Sequence, residues 1–183
     1  MIDWSWELLT DQERAVLRRL APHPDGYTLE AAEAVCAGGG IDRDDVIELL
    51  ARLVDRSLVR VVGDGERYRL LESVSAYCLE RLREAGELDT VRARHLEYGV
   101  RLVESAAPGL RGPGQFGLLA RLDAESVNLR WAVETAGAYG DTDRALRIAD
   151  ALTWYWVLRG GGAAGRRGRC RARGEAPARA RAR

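Results

Sequence analysis

Along most of this chain apolar side chains recur at the spacing of a helix, and only between Leu58 and Leu70 does the period fall to two. Leu58-Val59-Arg60-Val61-Val62 is rich in β-branched residues, Gly63-Asp64-Gly65 interrupts it, and Arg67-Tyr68-Arg69-Leu70 alternates polar and apolar side chains. That pattern predicts a hairpin with an Asp-Gly turn. A single ribbon inside an otherwise helical chain makes the expected fold class mainly α.

The flanking helices follow from spacing and start signals. Residues 11–20 carry Ala15, Val16, Leu17 and Leu20 behind Thr10, with Glu13 three residues on, the capping-box arrangement. Pro22, Pro24 and Gly26 break this helix. Thr28 heads a second, shorter one to Cys36, stopped by Gly38-Gly39-Gly40. Asp42 is expected to cap a third, in which Val46, Leu49, Leu50, Leu53 and Val54 share a face up to Ser57. Beyond the ribbon, a helix from about residue 72 to 85 aligns Val74, Tyr77, Cys78 and Leu82 and ends at Gly86. Three helices, a ribbon and a closing helix are the order of a winged helix-turn-helix domain, expected over residues 1–87.

From Leu88 the pattern is helical throughout, over about 88–107, 116–138 and 142–159. Helical hairpins are expected over 88–159, and such pairs bury their apolar faces by stacking on neighbours. The last of these helices is apolar on every side near its end, from Ile148 to Leu158. Past Arg159 there is no aliphatic residue larger than Ala, so 160–183 is expected to be a disordered basic tail, with too little apolar area to offset ordering. With nothing to cover them, Trp154, Tyr155, Trp156 and Leu158 are expected to form an exposed interaction surface.

Charge narrows the chemistry. All 28 basic residues are Arg, which removes the phosphate-binding lysine of a P-loop, the Schiff-base amine and the Ser-Lys nucleophile. The 28 acids balance them, but residues 166–183 hold eight Arg against Glu175 alone, so the tail is +7 and the rest −7. Cys36, Cys78 and Cys170 are widely spaced and read as reduced thiols. The N-terminus lacks a signal-peptide pattern and no stretch reaches the roughly 18 apolar residues of a membrane span, so a cytoplasmic protein without membrane partners is expected.

Several strings resemble one family: Ile2-Asp3-Trp4-Ser5-Trp6-Glu7-Leu8-Leu9, Tyr27-Thr28-Leu29-Glu30-Ala31-Ala32-Glu33-Ala34-Val35, Leu50-Ala51-Arg52-Leu53-Val54-Asp55-Arg56-Ser57-Leu58-Val59 and Tyr68-Arg69-Leu70-Leu71-Glu72-Ser73-Val74. With Leu110-Arg111-Gly112-Pro113-Gly114-Gln115, Asn128-Leu129-Arg130 and Trp154-Tyr155-Trp156, they make residues 2–159 similar to the AfsR/LuxR-type actinobacterial regulators among the signal-transduction (STAND) ATPases. The resemblance implies a middle segment of a longer regulator, between a nucleotide-binding domain and a tetratricopeptide-like array. Related ATPases contact nucleotide through a Met-His-Asp string. The comparable place here is Leu70-Leu71-Glu72, which lacks that histidine. The composition of the tail also departs from the family and suits a reading-frame shift.

Gly112-Pro113-Gly114-Gln115-Phe116-Gly117 matches the G-x-G-x-x-G fingerprint, but a helix precedes it and no β-α-β pattern surrounds it, so a loop between helices is expected. The third helix would be the reading helix of a DNA-binding winged domain. Over residues 42–56 it carries five acids against three Arg, which disfavours DNA, and Arg60, Arg67 and Arg69 on the ribbon offer only weak nucleic-acid contact. His23 and His95 lack neighbours at metal-ligand spacing, and His95 is expected to be solvated. No catalytic, cofactor or metal site is expected. The expected role is a non-catalytic regulatory segment whose partner is protein: the nucleotide-binding domain of a related regulator, or a second copy through the last helix. The alternatives are a stand-alone DNA-binding regulator and a truncated or frame-shifted reading frame.

Overall fold

The computed structural model describes residues 2–63 and 67–160, which fall into two compact units divided between Tyr98 and Gly99. The first unit is a winged helix-turn-helix. Helix α1 (Ile2–Glu7) leads into α2 (Asp11–Leu20), α3 (Leu29–Cys36) and α4 (Val46–Asp55), then the strands β1 (Val59–Val62) and β2 (Arg67–Leu70), then α5 (Glu72–Glu84). The strands pair antiparallel with Val59 opposite Leu70 and Val62 opposite Arg67. Asp64 and Gly65, the expected turn residues, lie outside the described residues, as does the tail beyond Gly160.

The local chemistry explains these boundaries. Thr10 and Glu13 form the complete capping box, each satisfying the other's backbone N–H. Thr28 Oγ1 accepts from the Ala31 N–H at the head of α3. Asp42 departs from expectation: its side chain caps nothing, and a 3₁₀ turn over Arg43–Asp45 tightens the chain into α4 instead. Two features were not foreseen. Trp6 of α1 meets Tyr77 of α5 edge-on at 5.6 Å, and Tyr27 pairs through its backbone with Tyr68, adding a one-residue bridge to the outer edge of β2. That bridge requires Gly26. It sits at φ +70°, and a Cβ there would lie 2.4 Å from the Tyr68 carbonyl oxygen.

Val16, Leu17, Leu20, Val35, Leu50, Leu53 and Leu82 are essentially solvent-free and fill the space between α2, α3, α4 and α5. Each such side chain contributes roughly 1.5–3 kcal/mol on burial.

Helix α6 (Leu88–Ala106) gives its first half to this unit and its second half to the next. The second unit continues through a 3₁₀ segment (Ala107–Arg111), α7 (Gln115–Ala138), α8 (Thr142–Ala151) and α9 (Thr153–Leu158). The single helix expected over 142–159 is thus two. Its chain breaks at Leu152, and Thr153 Oγ1 hydrogen-bonds the Ala149 carbonyl at the break. Gly99 lets α6 approach both neighbours, since a Cβ there would stand 3.3 Å from Leu129 on α7 and from Ile148 on α8.

The glycine fingerprint at 112–117 forms the turn into α7 and its first residues. A 3₁₀ segment precedes it, and Gly114 and Gly117 have open space where a Cβ would be, so neither serves a close approach. Among the described residues no helix is long and apolar enough to cross a membrane.

Candidate functional site

In a winged helix-turn-helix the surfaces that can reach a partner are the exposed side of the third helix and the ribbon. The buried face of α4, Val46, Leu49, Leu50 and Leu53, is spent on the core, which turns Ile47, Glu48, Ala51, Arg52 and Asp55 to solvent. The preceding 3₁₀ turn adds exposed Arg43, Asp44 and Asp45. Acids hold the arginines of this face: Arg52 donates to Glu48 at 2.5 Å and Arg43 to Glu33 at 2.9 Å, while Arg56 Nε lies 3.9 Å from the buried Glu13 carboxylate. The outward potential is therefore negative, which suits neither phosphate nor a base edge.

The ribbon arginines are also engaged. Arg67 donates to the carbonyls of Asp25 and Gly26 at 3.1 and 3.2 Å, and Arg69 pairs with the Asp25 carboxylate. Their common role is to latch the 22–27 loop onto β2. Arg60 is exposed on β1, directly across the ribbon from Arg69. With Arg67 and Arg69 held in that latch, exposed Arg60 adds only a small basic surface.

The aromatic end of the second unit is more enclosed than expected. Tyr155 is buried, which corrects its place in the expected exposed patch. Its hydroxyl donates to Asp123 at 2.8 Å, and Arg159 closes on the same carboxylate; burial, then that hydrogen bond, pushes the Tyr155 hydroxyl up to about 12. Trp154 and Trp156 are half-buried. Trp154 Nε1 donates to the Leu110 carbonyl at 3.3 Å, and the Arg111 guanidinium sits 4.7 Å over its ring. The break at Leu152 re-aims these rings onto the 3₁₀ segment, so the chain covers part of its own apolar end. Leu158 is half-buried and Val157 is exposed.

Two polar clusters in the first unit escaped the sequence reading. Glu87 receives Arg18 Nε at 2.9 Å and Arg19 Nη2 at 2.7 Å. Arg19 also donates to the carbonyls of Cys36 and Gly38, and Arg94 to that of Val35. These guanidinium groups cap the buried carbonyl end of α3, where positive charge is favoured. Burial alone would raise Glu87, yet the hydrogen bonds from Arg19 and Arg18 outweigh it and hold the carboxyl down at about 2. Beside this cluster lies an open cavity of about 300 Å³, lined by Gln12, Arg18, Arg19, Gly39, Ile41 and Glu87.

The second cluster corrects the expectation for His95, which is buried rather than solvated. Its ring lies 4.2 Å from that of His23, and Tyr27 meets His23 edge-on at 5.6 Å. His23 Nδ1 is 3.3 Å from the Leu20 carbonyl, an acceptor only, so Nδ1 carries the proton and donates. Burial lowers His23 to about 4 against the opposing Leu20 hydrogen bond, and burial together with His23 lowers His95. Both are neutral near pH 7. Spacing could have signalled His95, since Val91, His95, Tyr98 and Leu102 fall on one face of α6 and are all buried. Burial also pushes Cys36 and Cys78 to about 12, which leaves two inert thiols. Among the described residues no three His, Cys, Asp or Glu side chains converge as metal ligands.

Comparison with known proteins agrees with this architecture. Residues 9–83 match the winged helix-turn-helix domain family. The match runs from Leu9, ahead of the capping box, to Arg83 in the last turn of α5. The chain is 42% identical over 161 residues to the Mycobacterium tuberculosis protein named "Putative HTH-type transcriptional regulator Rv0890c", covering 86% of this chain and 18% of that one. The Mycobacterium bovis protein of the same description matches with the same identity and coverage. A further M. tuberculosis protein, "Uncharacterized protein Rv0894", is 40% identical over 119 residues, or 60% of this chain and 30% of its own. The chain thus spans about a fifth of the length of the regulators it matches. No solved structure matches it.

Proposed function

We propose that this chain is a non-catalytic, protein-contacting segment of an AfsR/LuxR-like transcriptional regulator of the STAND type. In this reading the winged domain relays rearrangement from an adjacent nucleotide-binding domain, and the helices from α6 onward begin a tetratricopeptide-like sensor surface. The observation that carries it is the charge of the face that would read DNA: over residues 42–56 five acids stand against three arginines, and acids engage those arginines. Similarity over 161 residues to a protein named as an HTH-type transcriptional regulator supports the regulator context.

Titration of the full chain with duplex DNA over a range of salt tests this role. Weak binding, insensitive to sequence and lost when residues 160–183 are removed, is expected, because the tail carries the excess of arginine. Sequence-selective affinity that survives physiological salt and removal of the tail would instead make the chain a stand-alone DNA-binding regulator.

A further inference from the structure

Helix α7 is apolar on two opposite sides. Leu119, Leu122, Leu129, Val133 and Ala136 are buried in the second unit. Diametrically opposite, Phe116, Ala120, Ala124, Val127 and Trp131 form a second stripe at steps of four and three residues, the spacing of a helix-pairing seam, and Ala138 lies on the same side beyond exposed Glu134. Phe116 is 83% exposed and Val127 45%, the three alanines are exposed, and Trp131 is half-buried. A solvated helix face is normally polar, so an apolar stripe running about 22 Å from Phe116 to Trp131 is a surface built for contact.

We propose that a second copy of this chain covers that stripe, with the two α7 helices antiparallel about a two-fold axis at Val127. The order of side-chain sizes supports this occupant. Reversing the helix about Val127 sets Phe116 opposite Ala138 of the other copy, and Trp131 opposite Ala124 to within one residue, so each ring meets a methyl group. Parallel pairing would stack Phe116 on Phe116 and Trp131 on Trp131, and would leave alanine facing alanine. Charge agrees with the reversed order. Asp123 and Arg130 lie on the same flank of the stripe, nearly symmetric about Val127, and an antiparallel two-fold brings each opposite the other. Asp123 is already held in place by Tyr155 and Arg159. Residues 161–183 contain no Leu, Ile, Val, Met or aromatic side chain, so the chain's own tail offers no matching stripe. The proposal stands apart from the regulator reading, because it concerns only copies of this chain. A single helical seam buries area at the small end of specific interfaces, and the dimer is expected on the order of micromolar affinity.

Sedimentation velocity of the full chain across a concentration series is the test. A reversible monomer–dimer equilibrium is expected. Val127→Arg, which sets like charges against each other on the axis, should weaken it at least about tenfold without changing the far-ultraviolet circular dichroism, whereas Val157→Arg on α9 should leave it unchanged. In a Cys170→Ser background, where the two remaining cysteines are buried, Val127→Cys should give a disulfide-linked dimer on mild oxidation and Phe116→Cys should not. A chain that stays monomeric at about 200 μM, well above such a dissociation constant, would overturn the proposal. So would a dimer indifferent to Val127→Arg, or Phe116→Cys cross-linking as readily as Val127→Cys.

Discussion

His23 and His95 are residues whose chemistry the fold changes strongly within the pH range of ordinary solutions. In the folded state His23 resists protonation down to about 4, while in the unfolded chain it titrates near 6.5. The unfolded state therefore binds more protons between those values. Stability from this group is fully present above pH 6.5 and is lost as pH falls towards 4, at a cost of about 3 kcal/mol. His95, lowered in the same direction, adds to the loss. Urea denaturation at pH 7 and pH 4.5 should show the decline, and His23→Leu should flatten it; an unchanged slope would mean the pair is not buried in solution. Glu87 presents the opposite case, a carboxylate that two arginines need. Arg19 is almost fully buried, and Glu87→Ala would leave its guanidinium without a counter-charge, which should lower stability by about 3 kcal/mol in the same assay. These partnerships join residues nearly 70 positions apart. No local pattern reveals them, although the i, i+4, i+7 spacing around His95 marks that residue as inward-facing.

Helix ends were more legible than helix contacts, because an end is written in a few adjacent residues. Thr10 with Glu13, and Thr28, start α2 and α3 where the sequence places them. Asp42 shows the limit of that rule: an acceptor of suitable type lies ahead of the helix, but a 3₁₀ turn intervenes and the side chain finds no N–H. Three helices end with the residue after the cap in the left-handed region and the next N–H bonded back to the last turn: Leu58 to Leu53, Glu87 to Leu82 and Asp141 to Ala136. Gly86 closes α5 and Gly140 closes α7 at φ +67° and +79°, but Ser57 closes α4 at φ +60°. Ser57 is exposed, and left-handed backbone strains a residue with a Cβ. Ser57→Gly should therefore raise stability by about 0.5–1 kcal/mol, read as a higher melting temperature. The α8–α9 break was not legible: the apolar pattern of 142–159 is helical throughout, and the contacts that accompany the break, Trp154 to Leu110 and Tyr155 to Asp123, are distant in sequence. Tyr155→Phe should cost about 1 kcal/mol by removing the hydroxyl from Asp123.

At the scale of the whole chain, the winged domain was readable because its one change of hydrophobic period is local and its helices carry their own boundaries. Its surface was readable in sign, since acids outnumber arginines over residues 42–56. The detail was not: the sequence offers Arg67 and Arg69 as candidate nucleic-acid contacts, and only the fold shows both drawn to Asp25 and Gly26 by the loop that Gly26 lets approach β2. On the proposed reading such a surface carries no code for a base sequence, and its attraction for nucleic acid is electrostatic. The most direct measurement is selection from a pool of randomised duplexes at physiological salt, with the full chain as bait. No enriched motif is predicted, and little duplex should be retained once residues 160–183 are removed. Recovery of one preferred sequence, abolished by substitutions on the exposed side of α4, would contradict a contact role for this domain.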